Sequence, residues 1–443
     1  MKALATACVA PAFLSVDASA PGPSSAAFIV TAHRKPWTRR RTSRRSIGKH
    51  SASAAAGAAT ASATPALPPL ESTVVVEEIL PDGRPPLLSL SVEELASSVG
   101  GTGRARRIWE ALRKGQLPID IDDSTEKPLS HRALTRLLEA TQLLPYEVIN
   151  ETVSACGTVK LLVRLRDGHG VETVIIPSEK GHSTLCVSSQ IGCARACRFC
   201  KTGQMGLMRN LGADEILAQV FFAHRWVRES DGRTPPIRNA VFMGMGEPLN
   251  NPRAVRRAIQ TMTDPFAFGL GRSHITVSTV GPSPASIRLL EDIPVHIAWS
   301  VHAARDNVRR LLVPTTVHPM TDLRDAFADM LIARSNKHQG PGRFPKRYLN
   351  IMVECTLLDG LNDSREDAEA LVELVRGLPG EPKVNLLPYN DIGVPGYRRS
   401  PEAKVAAYLE CVREGGVMCS VRRARGDEDM AACGQLATTA GLG

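Results

Sequence analysis

From about residue 183 onward, short apolar runs alternate with longer stretches of helical character. The runs read TLCVSS, NAVFMG, HITVSTV, VHIAWSV, NIMVECTLL, KVNLLPY and VMCSVRR. Strands separated by helices predict right-handed βαβ units on a parallel sheet, either open or curled into a barrel, with chemistry at the carboxyl ends of the strands. Upstream, VKLLVRLRDGHGVETVIIP from Val159 alternates apolar and polar positions and turns at Asp167-Gly168, the pattern of a hairpin. Further upstream, Leu95, Val99, Ile108, Trp109 and Leu112 follow a broken helical period. Ser91 with Glu94 makes a capping box, and residues 130–155 are expected to add at least one more helix.

Charge changes the picture at one end only. The formal net charge is +9, but residues 1–70 hold nine Lys/Arg against Asp17 alone, so the remainder is nearly neutral and bulk basicity says little about partners. That leader is rich in Ala, Ser, Thr and Pro and has no periodicity that could build a core. It reads as an organelle transit peptide, and its sparse charge before His33 favours chloroplast over mitochondrion. A secretory signal competes, but Pro11 interrupts its apolar run. No stretch approaches the roughly 20 apolar residues of a membrane span. The expected organisation is therefore a leader over 1–70, a helical RNA-binding-type domain over 71–157, a β-hairpin extension over 158–182 and a catalytic core over 183–443. In the helical domain Arg104, Arg106, Arg107, Arg113 and Lys114 are either an RNA contact or a solvated face.

The strongest chemical signal is SQIGCARACRFCKTG, where Cys193, Cys197 and Cys200 stand as CxxxCxxC after the first strand of the core. Three thiols in one loop leave an odd one for disulfides, and a structural zinc normally takes four protein ligands. Three ligands to a cubane iron-sulfur cluster, with one iron open, fit better. The second strand ends in MGMGEP, whose glycines let a ligand approach the backbone and whose Glu247 can accept hydrogen bonds.

Together these motifs resemble the radical S-adenosylmethionine (SAM) superfamily. The order TLCVSSQIGCARACRFCKTG, MGMGEPLNN, VSTVG, SVHA, LLDGLND, NLLPYN and RGDEDMAACGQLA resembles, more narrowly, the RlmN/Cfr family of RNA adenosine methyltransferases, from about Leu87 to Leu436. The resemblance implies an α/β fold, a radical SAM partial (βα)6 barrel preceded by a small helical domain. It implies a 4Fe-4S cluster on Cys193, Cys197 and Cys200, and SAM, two per turnover, touched by Gly246, Glu247, Ser278, Ser300, Val301, His302 and Asn390. It implies that Cys433 takes a methyl group from one SAM, that a 5′-deoxyadenosyl radical activates that methyl for addition to the base, that Glu172 accepts the ring proton, and that Cys186 frees the product as a disulfide forms with Cys433.

Carbon-2 of an adenosine in large-subunit (23S-type) rRNA is the expected target, with tRNA as an additional substrate. Methylation at carbon-8 is the alternative within the family, and a zinc-stabilised RNA-binding module the alternative outside it. An electron donor such as ferredoxin or flavodoxin, no membrane and a monomeric state are expected. Cys8 belongs to the leader, and Cys156, Cys355, Cys411 and Cys419 are expected to be packing residues. VPTTVHPM lacks a basic residue after its proline, and the loop NKHQGPGRFPKRYLN, with Lys337, His338, Arg343, Phe344, Lys346, Arg347 and Tyr348, is either an RNA contact or a solvated loop.

Overall fold

The computed structural model describes residues 83–121, 129–337, 350–422 and 430–437. The leader and most of the 336–350 loop lie outside the described residues.

Three helices come first: α1 (Val92–Val99), α2 (Thr102–Arg113) and α3 (His131–Ala140). The Ser91 hydroxyl accepts the Glu94 amide at 3.1 Å while the Glu94 carboxylate accepts the Ser91 amide at 2.6 Å, so the expected capping box is present. Their apolar faces bury Leu95, Val99, Ile108, Trp109 and Leu137 in the same core as the residues that follow. Trp109 packs edge-on against Phe268, with ring centroids 5.6 Å apart. Several of the basic residues are spent in the same contact. Arg113 donates to the carbonyls of Ala267 and Pro265 at 2.5 and 2.6 Å, and Arg106 lies 3.6 Å over the Phe266 ring.

After α3 the helical expectation ends early, because β1 (Glu147–Val153) is a strand. Pro145 cannot continue a helix, and Val148, Ile149, Thr152 and Val153 are β-branched. β1 pairs antiparallel with β2 (Val159–Arg164), β2 with β3 (Gly170–Ser178) and β3 with β4 (His182–Cys186). The expected hairpin is thus part of a longer meander that runs directly into the core.

A separate two-stranded ribbon, β5 (Gln190–Gly192) and β6 (Leu207–Asn210), follows, with α4 (Lys201–Gln204) in its loop. The remainder alternates as expected: α5 (Ala213–Glu229), β7 (Ile237–Phe242), α6 (Pro252–Thr263), β8 (Ile275–Thr279), α7 (Pro284–Arg288), β9 (His296–Ser300), α8 (Asp306–Leu312), α9 (Met320–Lys337), β10 (Ile351–Leu357), α10 (Arg365–Arg376), β11 (Lys383–Pro388), α11 (Glu402–Glu414) and β12 (Met418–Val421). The sheet order is β1-β2-β3-β4-β7-β8-β9-β10-β11-β12, and every pairing from β4 to β12 is parallel. Beginning at β4, six βα units feed a seventh parallel strand, each apolar run of the sequence supplying one. β1 and β12 are the two edges, so the barrel is partial.

Candidate active site

The parallel strands converge at their carboxyl ends on a cavity of about 420 Å³. Cys186 reaches it from the end of β4, Gly246 and Glu247 from the loop after β7, Ser278 from β8, Ser300 and His302 from the end of β9, Asn390 from beyond β11, and Cys433 from the C-terminal segment. Cys193, Cys197 and Cys200 line the same cavity from the loop that joins β5 to β6. Of the site residues expected from sequence, Val301 and Glu172 do not line it.

The cysteine loop is closed at its base, where the Cys193 amide donates to the Gly206 carbonyl at 2.8 Å. Gly192, at φ 73°, is required there, since a Cβ would fall 1.8 Å from the Gly206 oxygen. All three thiols are free, and burial pushes Cys193 up to about 12. Among the described residues no three His, Cys, Asp or Glu side chains converge on a point where one metal ion could sit. A single tetrahedral ion at about 2.3 Å from each sulfur needs its thiols nearly in contact. The ligands of a cubane cluster sit on different irons, so a set of three thiols with one iron left open suits the donor chemistry of a cluster.

Glu247 is buried, and its carboxylate is committed to the protein. Oε1 accepts from Leu249 N at 2.9 Å and Thr279 Oγ1 at 2.7 Å, and Oε2 accepts from Val280 N at 2.9 Å. It therefore ties the β7 loop to the end of β8, and about one of its four acceptor positions is left for a ligand. Gly246, at φ 99°, approaches Gln190 so closely that a Cβ would meet its backbone nitrogen at 2.8 Å. Ser278 and Ser300 share a hydroxyl hydrogen bond of 3.0 Å. His302 accepts the Thr356 amide on Nδ1 at 3.2 Å, which leaves the proton on Nε2, and burial lowers its pKa so that it stays neutral. Asn390 donates to the Cys433 carbonyl at 3.0 Å and accepts from Arg399 at 3.2 Å.

Glu172, expected as the proton acceptor, lies on β3 beside the cavity. Its carboxylate pairs with Lys160 at 3.1 Å and accepts the Ala437 amide at 2.8 Å. Val301 is fully buried and serves through its backbone, its carbonyl accepting from Arg309 at 2.5 Å.

Burial pushes the Cys186 thiol up to about 12; Cys433 is solvent-exposed as a residue, but the cavity it lines pushes its thiol up to about 11, with Arg422 opposing both shifts. In the absence of ligands both are therefore protonated near neutrality. Alkylation of Cys433, followed by peptide mass spectrometry, should rise about tenfold per pH unit from pH 7 to about 10. A plateau near about 8.5, the ordinary thiol value, would contradict this environment.

Sequence reasoning missed three residues. Glu354, on β10, is a buried carboxyl lining the cavity, raised by burial and opposed by Arg422. An acid inside the apolar run NIMVECTLL was the available signal. Arg422 lines the cavity just beyond β12. Arg309 on α8 is 1% exposed and donates to the carbonyls of Ser300 and Val280, each at 2.9 Å, as well as to Val301, bracing the ends of β8 and β9. Arg309→Met should cost about 3 kcal/mol or more in urea unfolding, because three buried carbonyls lose their donor. Lysine at this position should not rescue it, since an ammonium lacks the planar fork. Of the remaining cysteines, Cys355, Cys411 and Cys419 are buried as expected, but Cys156 is exposed in the β1–β2 turn, where it meets Ser154 and Thr158. A tight turn leaves no core for it to join.

The family model of the radical SAM superfamily matches residues 187–375. A dual-specificity RNA methyltransferase RlmN of Dinoroseobacter shibae is 38% identical over 386 residues, covering 83% of this chain and 93% of that protein. One from Anaeromyxobacter dehalogenans is 39% identical over 376 residues, covering 83% and 95%. The crystal structure of a radical SAM methyltransferase from Sphaerobacter thermophilus superposes with a TM-score of 0.69 at 34% identity, covering 79% of this chain and 98% of that one.

Proposed function

This chain belongs to the RlmN family of radical SAM RNA methyltransferases, and from that membership we propose that it methylates carbon-2 of an adenosine in 23S-type large-subunit rRNA and in tRNA. The observation that carries the reading is the meeting of two free thiols, Cys186 and Cys433, with the three-cysteine loop in one cavity. A simple methyltransferase needs none of these thiols. The dual specificity in the relatives' name supports two RNA substrates.

Cys193, Cys197 and Cys200 hold the 4Fe-4S cluster, and Gly246, Glu247, Ser278, Ser300, His302 and the backbone at Val301 hold SAM, with Asn390 at the edge of the same pocket. Bound there, cluster and cofactor supply the electron and the 5′-deoxyadenosyl radical that an unreactive aromatic carbon requires. Cys433, as thiolate, displaces S-adenosylhomocysteine from one SAM substrate and keeps the methyl group, so two SAM are used per turnover. Arg422, facing the thiol, favours that thiolate. Glu172 accepts the ring proton. Cys186, as thiolate, attacks the Cys433 sulfur; the sulfur–carbon bond breaks as the disulfide forms, and its electron pair takes up a proton, leaving a methyl group on the base. Ferredoxin or flavodoxin is the external reductant, and the protein acts as a monomer.

The leader directs the protein to the chloroplast, with the mitochondrion as alternative; a fluorescent fusion of residues 1–70 locates it. Among the described residues no helix is long and apolar enough to cross a membrane. Organellar rRNA and tRNA from cells with and without the protein, digested to nucleosides and analysed by mass spectrometry against 2-methyl and 8-methyl standards, test the reaction. Loss of 2-methyladenosine is expected. Loss of the 8-methyl isomer would reassign the ring position, and no change in either would sink the proposal.

A further inference from the structure

Residues 430–437 carry Cys433 and are held at six described points, one of them the bond that Gln435 Nε2 donates to the Asp391 carbonyl at 3.1 Å. The Met430 carbonyl accepts from Lys160 Nζ at 3.1 Å, and the Ala437 amide donates to Glu172 Oε2 at 2.8 Å. Between them the Cys433 carbonyl accepts from Asn390, the Gly434 carbonyl from Lys201 N at 2.7 Å, and the Leu436 carbonyl from Thr202 Oγ1 at 2.5 Å. The inner four fix the segment against the cysteine loop and the stretch just beyond β11. The outer two are one unit, because Lys160 and Glu172 are themselves paired at 3.1 Å, as diagonal neighbours on β2 and β3. Both side chains are largely buried, at 14% and 9% exposed, so solvent screens the pair only weakly. The turn they close is backed by left-handed backbone at Met430, φ 53°, and Gly434, φ 85°.

We infer that Lys160 is a positioning residue for Cys433: paired with Glu172 it clamps both ends of residues 430–437, and the clamp holds only while Glu172 is ionised. The first part stands on geometry alone; the second deepens the proposed reaction and rests on it. When Glu172 accepts the ring proton, the carbon–hydrogen bond breaks, the carboxyl O–H bond forms, and the freed electron pair returns to the ring. The carboxyl becomes neutral, the ion pair with Lys160 is lost, and the Ala437 bond is no longer charge-assisted. Proton capture thereby frees the segment, so that the Cys433 sulfur, still joined to the base through its carbon, can turn towards Cys186. Such a release needs a carboxyl that is not strongly held in its charged form. Burial raises Glu172 while Lys160 and the Ala437 amide oppose it. Lys160 on β2 is the charged group facing its carboxylate, and beyond β4 Ser188 meets only its backbone carbonyl, at 2.6 Å.

Hydrogen exchange of the full chain tests this without RNA or turnover, so its outcome is separate from whether the protein methylates adenosine. In Lys160→Met and in Glu172→Gln, exchange of the peptide covering 430–437 should quicken by at least about tenfold. The strands β9 and β10 should stay protected, and Lys160→Arg should keep the parental rate. Parental exchange in Lys160→Met overturns the clamp, and parental exchange in Glu172→Gln overturns its dependence on charge. If Lys160→Met also loosens β9 and β10, the double variant Lys160→Arg/Glu172→Gln decides, because it keeps a cation on β2. Fast exchange confined to 430–437 supports the inference, and parental protection overturns it.

Discussion

Cys186→Ala should turn the enzyme into a covalent trap for its own RNA. In the proposed reaction Cys433 would still accept a methyl group and join the base, but no thiol would remain to attack its sulfur. Turnover should fall by about three orders of magnitude or more, while a protein-RNA species approaches one RNA per chain. Nuclease should collapse that species to the mass of the protein plus one modified nucleotide. The base must be unstacked to enter a cavity of about 420 Å³, and once inside it is held next to Cys433, so the trap should be efficient. Cys433→Ala should form neither product nor adduct, although the cysteine loop and the strand ends are untouched. Turnover by Cys186→Ala like that of the parent, or an adduct from Cys433→Ala, would show that the two thiols do not have these roles.

The second large effect concerns the cysteine loop. Replacing Cys193, Cys197 or Cys200 by Ala should reduce bound iron and sulfide after anaerobic reconstitution to below about a tenth of the parent, since metal affinity depends on the full ligand set. The brown chromophore and all cleavage of SAM should go with it. Cys355→Ala is the control, a buried thiol on β10 whose Sγ donates to the His302 carbonyl at 3.3 Å and which does not line the cavity. It should keep its iron. Stoichiometric zinc without iron or sulfide in the parent protein would instead favour the zinc-stabilised module.

What the sequence by itself determined is local. Seven apolar runs became seven parallel strands because alternation with helical stretches leaves a βαβ chain few other ways to bury both faces of a sheet. The capping box at Ser91 and Glu94 and the Asp167-Gly168 turn depend on residues three or fewer apart, and both are present. CxxxCxxC, MGMGEP and AACGQL could be recognised because their order along the chain carries the family pattern. Where short-range signals are weak the sequence says less: residues 130–155 hold the expected helix, α3, but also the strand β1, and the β5–β6 ribbon has strands too short to announce themselves.

Only the tertiary structure decided what each site residue is bound to. The Glu172 partners lie 12 and 265 residues away, on β2 and at the C-terminal segment, and those of Glu247 come from β8 as well as its own loop. Arg309 braces strand ends through carbonyls that every residue possesses, so no side-chain pattern could mark it. The cavity itself arises because parallel strands all end on one side, bringing Cys186 and Cys433 together across 247 residues of chain. Hydrophobic periodicity specifies which face of an element is buried, whereas hydrogen bonds and ion pairs between distant elements exist only once the sheet has set their register.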